Sequence, residues 1–448
     1  MKERKITAIN AIRHGDLLTR LSAVLMGIGI IGHGQLVKGL IVLLLEAAFI
    51  YFMINSGLSA LALLPSLGDS EAEKVWNETK QVYEYTLGDN SQVILLENVI
   101  TLFVIAGFIV LWIIQMRHSY RLQLMKEDGG HVPSLKEDVR RLFDGDLHVT
   151  LMTIPCIGIL VFNIIPLVYM ISMAFTSYSK EDEHLMLFDW NGLTQFKRVL
   201  SLGGNIGKQF WHVLGWTIVW AIFATFLNYI LGMVLAMIIN RKDTKWKGFW
   251  RFCFVLSIAV PQFVTLMIMN IMLQPSGAVN VLLQNLGLIS SPLPFWKDAM
   301  WAKVTIIIIN LWVGIPYTLL QVTGILQNIP AELYEAARVD GAGPVKTFFS
   351  ITLPYMLFVT TPYLITSFIG NINNFNVIYL LSGGGPTYVG DTAGQTDLLV
   401  TWLYKLTIDQ QYYNLGAVIG IMTFITLTIV TLITYRNSSS YKNEEAFM

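Results

Sequence analysis

Eight runs of mostly apolar residues dominate this sequence, at roughly 36–58, 93–115, 151–176, 211–239, 252–273, 303–323, 352–380 and 413–435. A helix needs about 20 apolar residues to cross the hydrocarbon core of a bilayer. In lipid, every peptide group must find its hydrogen bond inside the spanning structure, so these runs are expected to be helices. None alternates in the manner of a membrane-barrel strand. The sequence therefore predicts an all-α integral membrane protein with about eight transmembrane helices. Only 13% of the 448 residues are charged, against about a quarter in soluble domains, which excludes a large soluble core.

The net charge is zero, so placement of charge carries the information. Lys2, Arg4, Lys5, Arg13, Arg20 and Lys38 precede or open the first run. Arg117, Arg121, Lys126, Lys136, Arg140 and Arg141 follow the second, and Arg241, Lys242, Lys245, Lys247 and Arg251 the fourth. Arg436 and Lys442 follow the eighth. Cationic flanks face the cytoplasm, which predicts eight spans with both termini cytoplasmic. A ninth apolar stretch, 21–32, is short and glycine-rich and reads as interfacial or re-entrant. The expected organisation is an N-terminal membrane region (1–115), a charged cytoplasmic linker (116–150), a six-span core (151–436) and a cytoplasmic tail (437–448). No cleavable signal peptide is expected: no small-residue cleavage site follows the basic N-terminus. Cys156 and Cys253 lie in apolar runs and read as small buried hydrophobes.

Catalytic signatures do not stand out. The nearest approach to a phosphate loop, "LGGNIGKQF", has Leu202 where the first Gly belongs and Gln209 in place of Ser or Thr. No HExxH, CxxC or GxSxG motif appears, and the seven His are scattered. A membrane-embedded enzyme would want a cluster of His, Asp and Glu at one membrane face. The chain is therefore expected not to be an enzyme, to bind no nucleic acid and to hold no metal.

The segment "PAELYEAARVDGAGPVKTFFSITLPY", 330–355, interrupts the apolar pattern. Pro330 opens a stretch of helix formers, and Glu332 and Glu335 suit the positive end of a helix. Gly341 and Gly343 permit a sharp change of direction, and Pro344 can start a second helix. The reading is helix, bend, helix on the cytoplasmic side; a solvated loop with a good helix in it is the plainer alternative. Glu335-Ala336-Ala337, then Gly341, then Ile351, Leu353 and Pro354 resemble the EAA loop of permease subunits in bacterial binding-protein-dependent ABC importers, with every position of that pattern filled. That resemblance implies a type I importer permease fold. It also implies a coupling helix docked on an ATPase subunit, with Glu335, Ala336, Ala337, Gly341, Ile351, Leu353 and Pro354 as the coupling set.

"SFIGNINNFNVIYLLSGGGP" (367–386), "GQTDLLVTWLYKL" and "LWVGIPY" (311–317) are similar to the larger, MalF-type permease of maltose and maltodextrin importers, over roughly residues 148–436. The residues themselves agree with a polar cavity. Amides inside a span are costly and default to function, and Ser367, Asn371 and Asn374 would share one helix face at i, i+4 and i+7. Asn310, Trp312, Tyr317 and Gln321 add aromatics and amides on the sixth run. Rings stack on sugar CH faces while amides meet hydroxyls; helix-to-helix hydrogen bonding is the competing use of such groups. The resemblance implies sugar contacts at Trp312, Val313, Gly314, Tyr317, Ser367, Gly370, Asn371 and Asn374. Gly370 stands where an aromatic is implied, which points to a wider cavity.

As partners, the resemblance implies a second permease of the MalG type, two ATPase subunits carrying ATP and magnesium, an extracellular or periplasmic sugar-binding protein and an oligosaccharide, in a bacterial plasma membrane. No cofactor is expected on this chain. Galacto-oligosaccharide or raffinose-type substrates are the alternatives, and a glycerol phosphate fits poorly with spans six and seven lacking cations. An ion-coupled secondary transporter would want several intramembrane acids, and Glu46 is the lone acid within the first run. The Gly-rich "LSGGGPTY" (381–388) reads as an outside turn.

Overall fold

The computed structural model describes residues 5–71, 74–85, 88–181, 185–241 and 243–437. Lys2, Arg4, Lys242 and Lys442, counted above for orientation, and the tail from 438 onward lie outside the described residues. Two compact units divide at Gly192 and Leu193. The helix over 147–173 thus clusters with the N-terminal elements, whereas the sequence grouped it with the six-span core.

The first unit opens with three short helices, α1 (Ala8–His14), α2 (Leu17–Leu21) and α3 (Ile28–Gly32). None is long enough to cross a bilayer. The long α4 (Leu36–Leu63) follows, then a small hairpin of β1 (Lys74–Asn77) and β2 (Val82–Tyr85). The strands pair antiparallel from Lys74 with Tyr85 to Asn77 with Val82, a feature the all-helical expectation did not contain. The long α5 (Ser91–Glu127), α6 (Leu135–Phe143) and α7 (Leu147–Met173) complete the unit. Because α5 runs to Glu127, the first third of the expected linker is a helical extension of the span.

Backbone outside a regular helix needs hydrogen-bond partners from elsewhere in the protein where water is excluded, and side chains from the long helices serve the stretch between α2 and α3. Trp112 Nε1 donates to the Ala23 carbonyl at 3.0 Å and Gln115 Nε2 to that of Ser22 at 2.8 Å. Glu46 Oε2 accepts the Met26 N–H at 2.8 Å, which gives that intramembrane acid a structural role. Gly27 (φ +87°) crosses so close to Gly39 that a Cβ there would lie 2.2 Å from the Gly39 carbonyl oxygen. Helix α6 carries a capping box in which Ser134 and Glu137 bond each other's backbone N–H. The Ser134 N–H and neighbouring donors hold the Glu137 carboxyl down to about 2.

The second unit begins with α8 (Thr194–Leu200) and the span α9 (Asn205–Asn240). Next come α10 (Lys247–Ala259) and α11 (Gln262–Met272), bent by 85° to each other. The fifth apolar run is therefore a broken pair instead of one straight span. Pro261 lacks an N–H and forces the preceding Val260 into an extended conformation (ψ 126°). The short α12 (Ala278–Asn285), α13 (Ala299–Leu326), α14 (Ala331–Val339) and α15 (Pro344–Ile372) follow. The expected seventh span over 352–380 stops at Ile372, and α16 (Phe375–Ser382) is separate. Helices α17 (Leu399–Tyr404) and α18 (Tyr413–Asn437) close the chain.

Among the described residues, seven helices are long and apolar enough to cross a membrane, and eight if the bent pair counts as one. In the second unit, Trp216, Trp220, Leu266, Ile306 and Val377 build one apolar cluster, and Tyr229, Met233, Leu319, Met356 and Leu364 another. Cys156 and Cys253 are unpaired and exposed on α7 and α10, which corrects their reading as buried. The exposed flanks of these helices are apolar, as lipid contact or a partner helix requires.

The Gly-rich turn after α16 closes over a buried ion pair. Asp397 is fully buried, and its Oδ2 meets Lys405 Nζ at 2.6 Å and the Gly394 N–H at 2.6 Å. Burial pushes the Asp397 carboxyl up, with Lys405 opposing. Gly384 (φ +79°) lies against that carboxylate, where a Cβ would fall 1.9 Å from Oδ1.

Candidate functional site: a polar cavity and the 330–355 segment

A cavity of about 290 Å³ opens between α9, α13 and α15. Small-molecule sites run from about 300 Å³ upward, so the volume suits a sugar ring or the part of a longer chain held by one wall. Val313, Gly314, Tyr317, Ser367, Gly370, Asn371 and Asn374 all line it, so seven of the eight expected contacts are brought together. Trp312 is 62% exposed and lines a neighbouring groove with Val313 and Tyr317. At about 100° per residue it stands some 200° around the helix from Asn310, which faces the cavity.

Local chemistry places each group. Asn371 Nδ2 donates to Thr225 Oγ1 at 2.9 Å, and the Asn371 carbonyl accepts the Trp220 indole N–H at 3.0 Å. Asn371 therefore ties α15 to α9 while also lining the cavity. Asn374 does not continue the helix as expected. The chain breaks at Asn373, and Asn374 caps α16, its Oδ1 accepting the Val377 N–H at 3.3 Å. It still reaches the cavity because its Nδ2 lies 3.4 Å from Asn371 Oδ1. A Cβ added at Gly370 would meet nothing within 4 Å, so the absence of an aromatic there leaves open space. Gly314 is the opposite case: a Cβ would sit 2.4 Å from Asn228 Nδ2.

Sequence reasoning missed Thr225, Asn228, Gln262 and Tyr363, which also line the cavity. Thr225 lies in a π-helical turn over Phe223–Leu227; such turns concentrate at functional sites. Asn228 Oδ1 is buried without a partner, an acceptor available to a ligand hydroxyl or a water. An amide within the fourth apolar run was the available signal.

The 330–355 segment folds as helix, bend, helix. Pro330 precedes α14, Gly341 adopts φ +71°, and Pro344 opens α15. Glu335 and Ala336 are exposed, while Ala337 is buried at 8% exposure. Ile351 and Leu353 pack against the cluster around Met356, and Pro354 is exposed. The motif thus divides into outward residues, Glu335, Ala336, Gly341 and Pro354, and an inward set, Ala337, Ile351 and Leu353, that packs within its own unit. Tyr334 Oη and Thr352 Oγ1 bridge α14 to α15 at 3.1 Å. Beside Glu335 and Arg338, a groove of about 670 Å³ reaches Asn240 and Arg241 at the end of α9.

Residues 228–440 match the family model of the binding-protein-dependent transport system inner membrane component. The maltodextrin transport system permease protein MdxF of Bacillus subtilis (strain 168) is 36% identical over 437 residues, spanning 95% of this chain and 96% of that protein. The galactooligosaccharides transport system permease protein GanP of the same organism is 34% identical, spanning 95% and 98%. A chain in the crystal structure of the bacterial alginate ABC transporter in complex with an alginate pentasaccharide-bound periplasmic protein superposes with a TM-score of 0.54. It has 21% identity and covers 67% of this chain and 96% of that one.

Proposed function

Since this chain belongs to the inner-membrane components of binding-protein-dependent transport systems, as a multi-pass permease, we propose that it carries maltodextrins through the amide-lined cavity between α9, α13 and α15. The observation that carries this reading is the convergence of Ser367, Asn371, Asn374 and Asn228 on one open space with Tyr317 and Tyr363 beside them. Uncharged amides and rings fit a neutral, hydroxyl-rich ligand. Among the described residues no cation lines this space, which disfavours a phosphate ester. The similarity to a maltodextrin permease supports the choice of glucan.

In this reading the chain supplies one half of the pathway, and a second permease supplies the other. The end bearing α14 faces the cytoplasm of a bacterial cell, as do both termini, and Glu335 and Ala336 present the contact to one of two ATPase subunits. Those subunits bind ATP and magnesium; this chain binds no cofactor and catalyses no reaction. A sugar-binding protein delivers the ligand on the opposite face. Rocking of packed helical bundles about a central site then alternates its exposure.

The test is uptake by proteoliposomes that hold this chain with its partner permease, ATPase and binding protein, with ATP inside. Labelled maltotriose should accumulate in an ATP-dependent manner, and Asn371→Ala should reduce it with the complex still assembled. Accumulation of a galacto-oligosaccharide in preference to maltotriose would overturn the glucan assignment, a rival that the similarity to a galactooligosaccharide permease keeps specific. Uptake without the ATPase, following an ion gradient, would overturn the whole reading.

A further inference from the structure

A groove in the first unit has no part in the reading above. Ile114, Arg117, His118 and Arg121 fall at i, i+3, i+4 and i+7 on one face of α5, and with Ile6 they line a space of about 350 Å³. Arg117 and Arg121 are both exposed. Neither has an ion-pair or hydrogen-bond partner among the described residues, and no described carboxylate lines the groove. Nearby cations are committed: Lys38 to Asp138 at 2.6 Å and Arg141 to Asp146 at 2.7 Å. His118 is held by Gln35, Nε2 to Oε1 at 2.8 Å. Among the described residues, two guanidinium groups one helical turn apart thus face the groove unpaired.

Their level along the helix is informative. The apolar run of α5 ends at Ile114, so Arg117 and Arg121 sit where hydrocarbon gives way to headgroups. On the same face below them, Val110 and Ile114 are 54% and 57% exposed. The short N-terminal helices of this unit and the turn between α2 and α3 also expose apolar side chains, with Ile9 at 63%, Leu17 at 73% and, in the turn, Val24 at 76%. A segment too short to span, with apolar groups outward and cations beside them, is the pattern of an element lying in the interface.

We propose that this groove holds the phosphodiester of an anionic phospholipid, with Arg117 and Arg121 on the phosphate oxygens and the acyl chains along Ile114 and Val110. Guanidinium forks match phosphate oxygens in pairs. A soluble anion would gain nothing from the apolar strip beneath, which is why a lipid is the better occupant.

The test uses the full chain in detergent and native mass spectrometry with phosphatidylglycerol or phosphatidylcholine of identical acyl chains. Phosphatidylglycerol should be retained preferentially. Arg117→Gln with Arg121→Gln should weaken that retention about thirtyfold, from about one kcal/mol per interfacial cation. Lys136→Gln with Arg140→Gln, an equal charge loss on α6, should leave it unchanged. Arg117→Lys with Arg121→Lys should keep a preference for the anionic lipid, which separates loss of the site from loss of the fold. Equal retention of the two lipids, equal loss in both Gln pairs, or displacement of the lipid by millimolar inorganic phosphate would each overturn the proposal.

Discussion

Asn371 carries two assignments that one pair of substitutions can separate. Its side-chain amide ties α15 to α9 through Thr225 at 2.9 Å, and it lines the cavity. Asn371→Ala removes that tie but leaves the backbone carbonyl that accepts the Trp220 indole. Interhelical hydrogen bonds in membranes are worth about 0.6 kcal/mol on average, so the stability loss should be small. If the amide also bonds the sugar, one or two such bonds at about 0.5–1.5 kcal/mol each disappear. Transport efficiency should then fall about tenfold. Thr225→Val cuts the same interhelical bond with little change of shape and keeps the amide in the cavity. It should share the small stability loss and hold uptake within about twofold of the unaltered chain. Initial rates of sugar uptake into proteoliposomes measure the first quantity, and thermal unfolding followed by tryptophan fluorescence the second. If Asn371→Ala holds uptake within about twofold of the unaltered chain, the amide acts only as a helix tie and its place in the cavity assignment fails.

Other positions give sharp expectations. Gly341 sits at φ +71° with nothing near its Cβ, so Gly341→Val should strain the bend by about 1–2 kcal/mol. It should lower sugar-stimulated ATP hydrolysis of the assembled complex more than Gly341→Asn, since Asn tolerates that conformation; equal effects would point away from the backbone. Asp397→Ala leaves Lys405 facing the interior and should cost about 3–5 kcal/mol of stability, most of it recovered when Lys405→Met is added. Because burial raises the Asp397 carboxyl, the pH-linked part of its contribution is full below the ordinary carboxylate range and is lost as pH rises through the raised value. Asp397→Asn should therefore flatten that part of a melting-temperature profile against pH. Glu46→Leu leaves the Met26 N–H without its acceptor, at about 1–3 kcal/mol, whereas Glu46→Gln retains one; similar melting temperatures for the two would refute the structural role given to Glu46.

Much of this architecture is written in local patterns. Apolar run length located the spans, and Pro330, Gly341 and Pro344 marked the helix, bend and second helix where they occur. The misses have specific physical origins. Pro261 was visible inside the fifth run, yet a proline bends a helix by an amount that depends on what packs around it, so the 85° break was not legible. Asn371 and Asn374 were placed on one face by extending a 3.6-residue period across residues that cap instead. The helix stops because Asn side chains satisfy free backbone groups, and the two amides converge by a different route. Trp312 came from the aromatic and amide content of the sixth run and from the resemblance, and not from periodicity, which already sets it opposite Asn310. Asn228 and Thr225 escaped notice because one amide or hydroxyl in an apolar run looks ordinary until a neighbouring helix leaves space before it.

The placement of the two candidate regions on a single helix suggests how they communicate. Helix α15 begins at Pro344, three residues beyond the Gly341 bend, and ends at Ile372, one residue past Asn371. From Pro344 to Asn371 an α-helical rise of 1.5 Å per residue gives about 40 Å. Its first turns pack through Ile351 and Leu353 against the inner cluster, and Thr352 bonds Tyr334 of α14. A displacement of α14 is therefore delivered to the base of α15 through packed side chains that resist compression. At the far end, Asn371 and the break at Asn373 join α15 to α9 and α16 by hydrogen bonds. The helix is not a uniform rod, because Phe348–Thr352 forms a π-helical turn and Pro362 lies midway. Both lack the regular hydrogen-bond ladder and are the places where a long helix bends. Pro362→Ala restores an N–H to the ladder and should stiffen the rod, with little effect on the cavity's own contacts. If motion passes along α15, this substitution should change the ratio of sugar transported to ATP hydrolysed while sugar binding to the complex stays the same. An unchanged ratio would mean that the cavity and the coupling segment move as one rigid unit, with the bending located elsewhere.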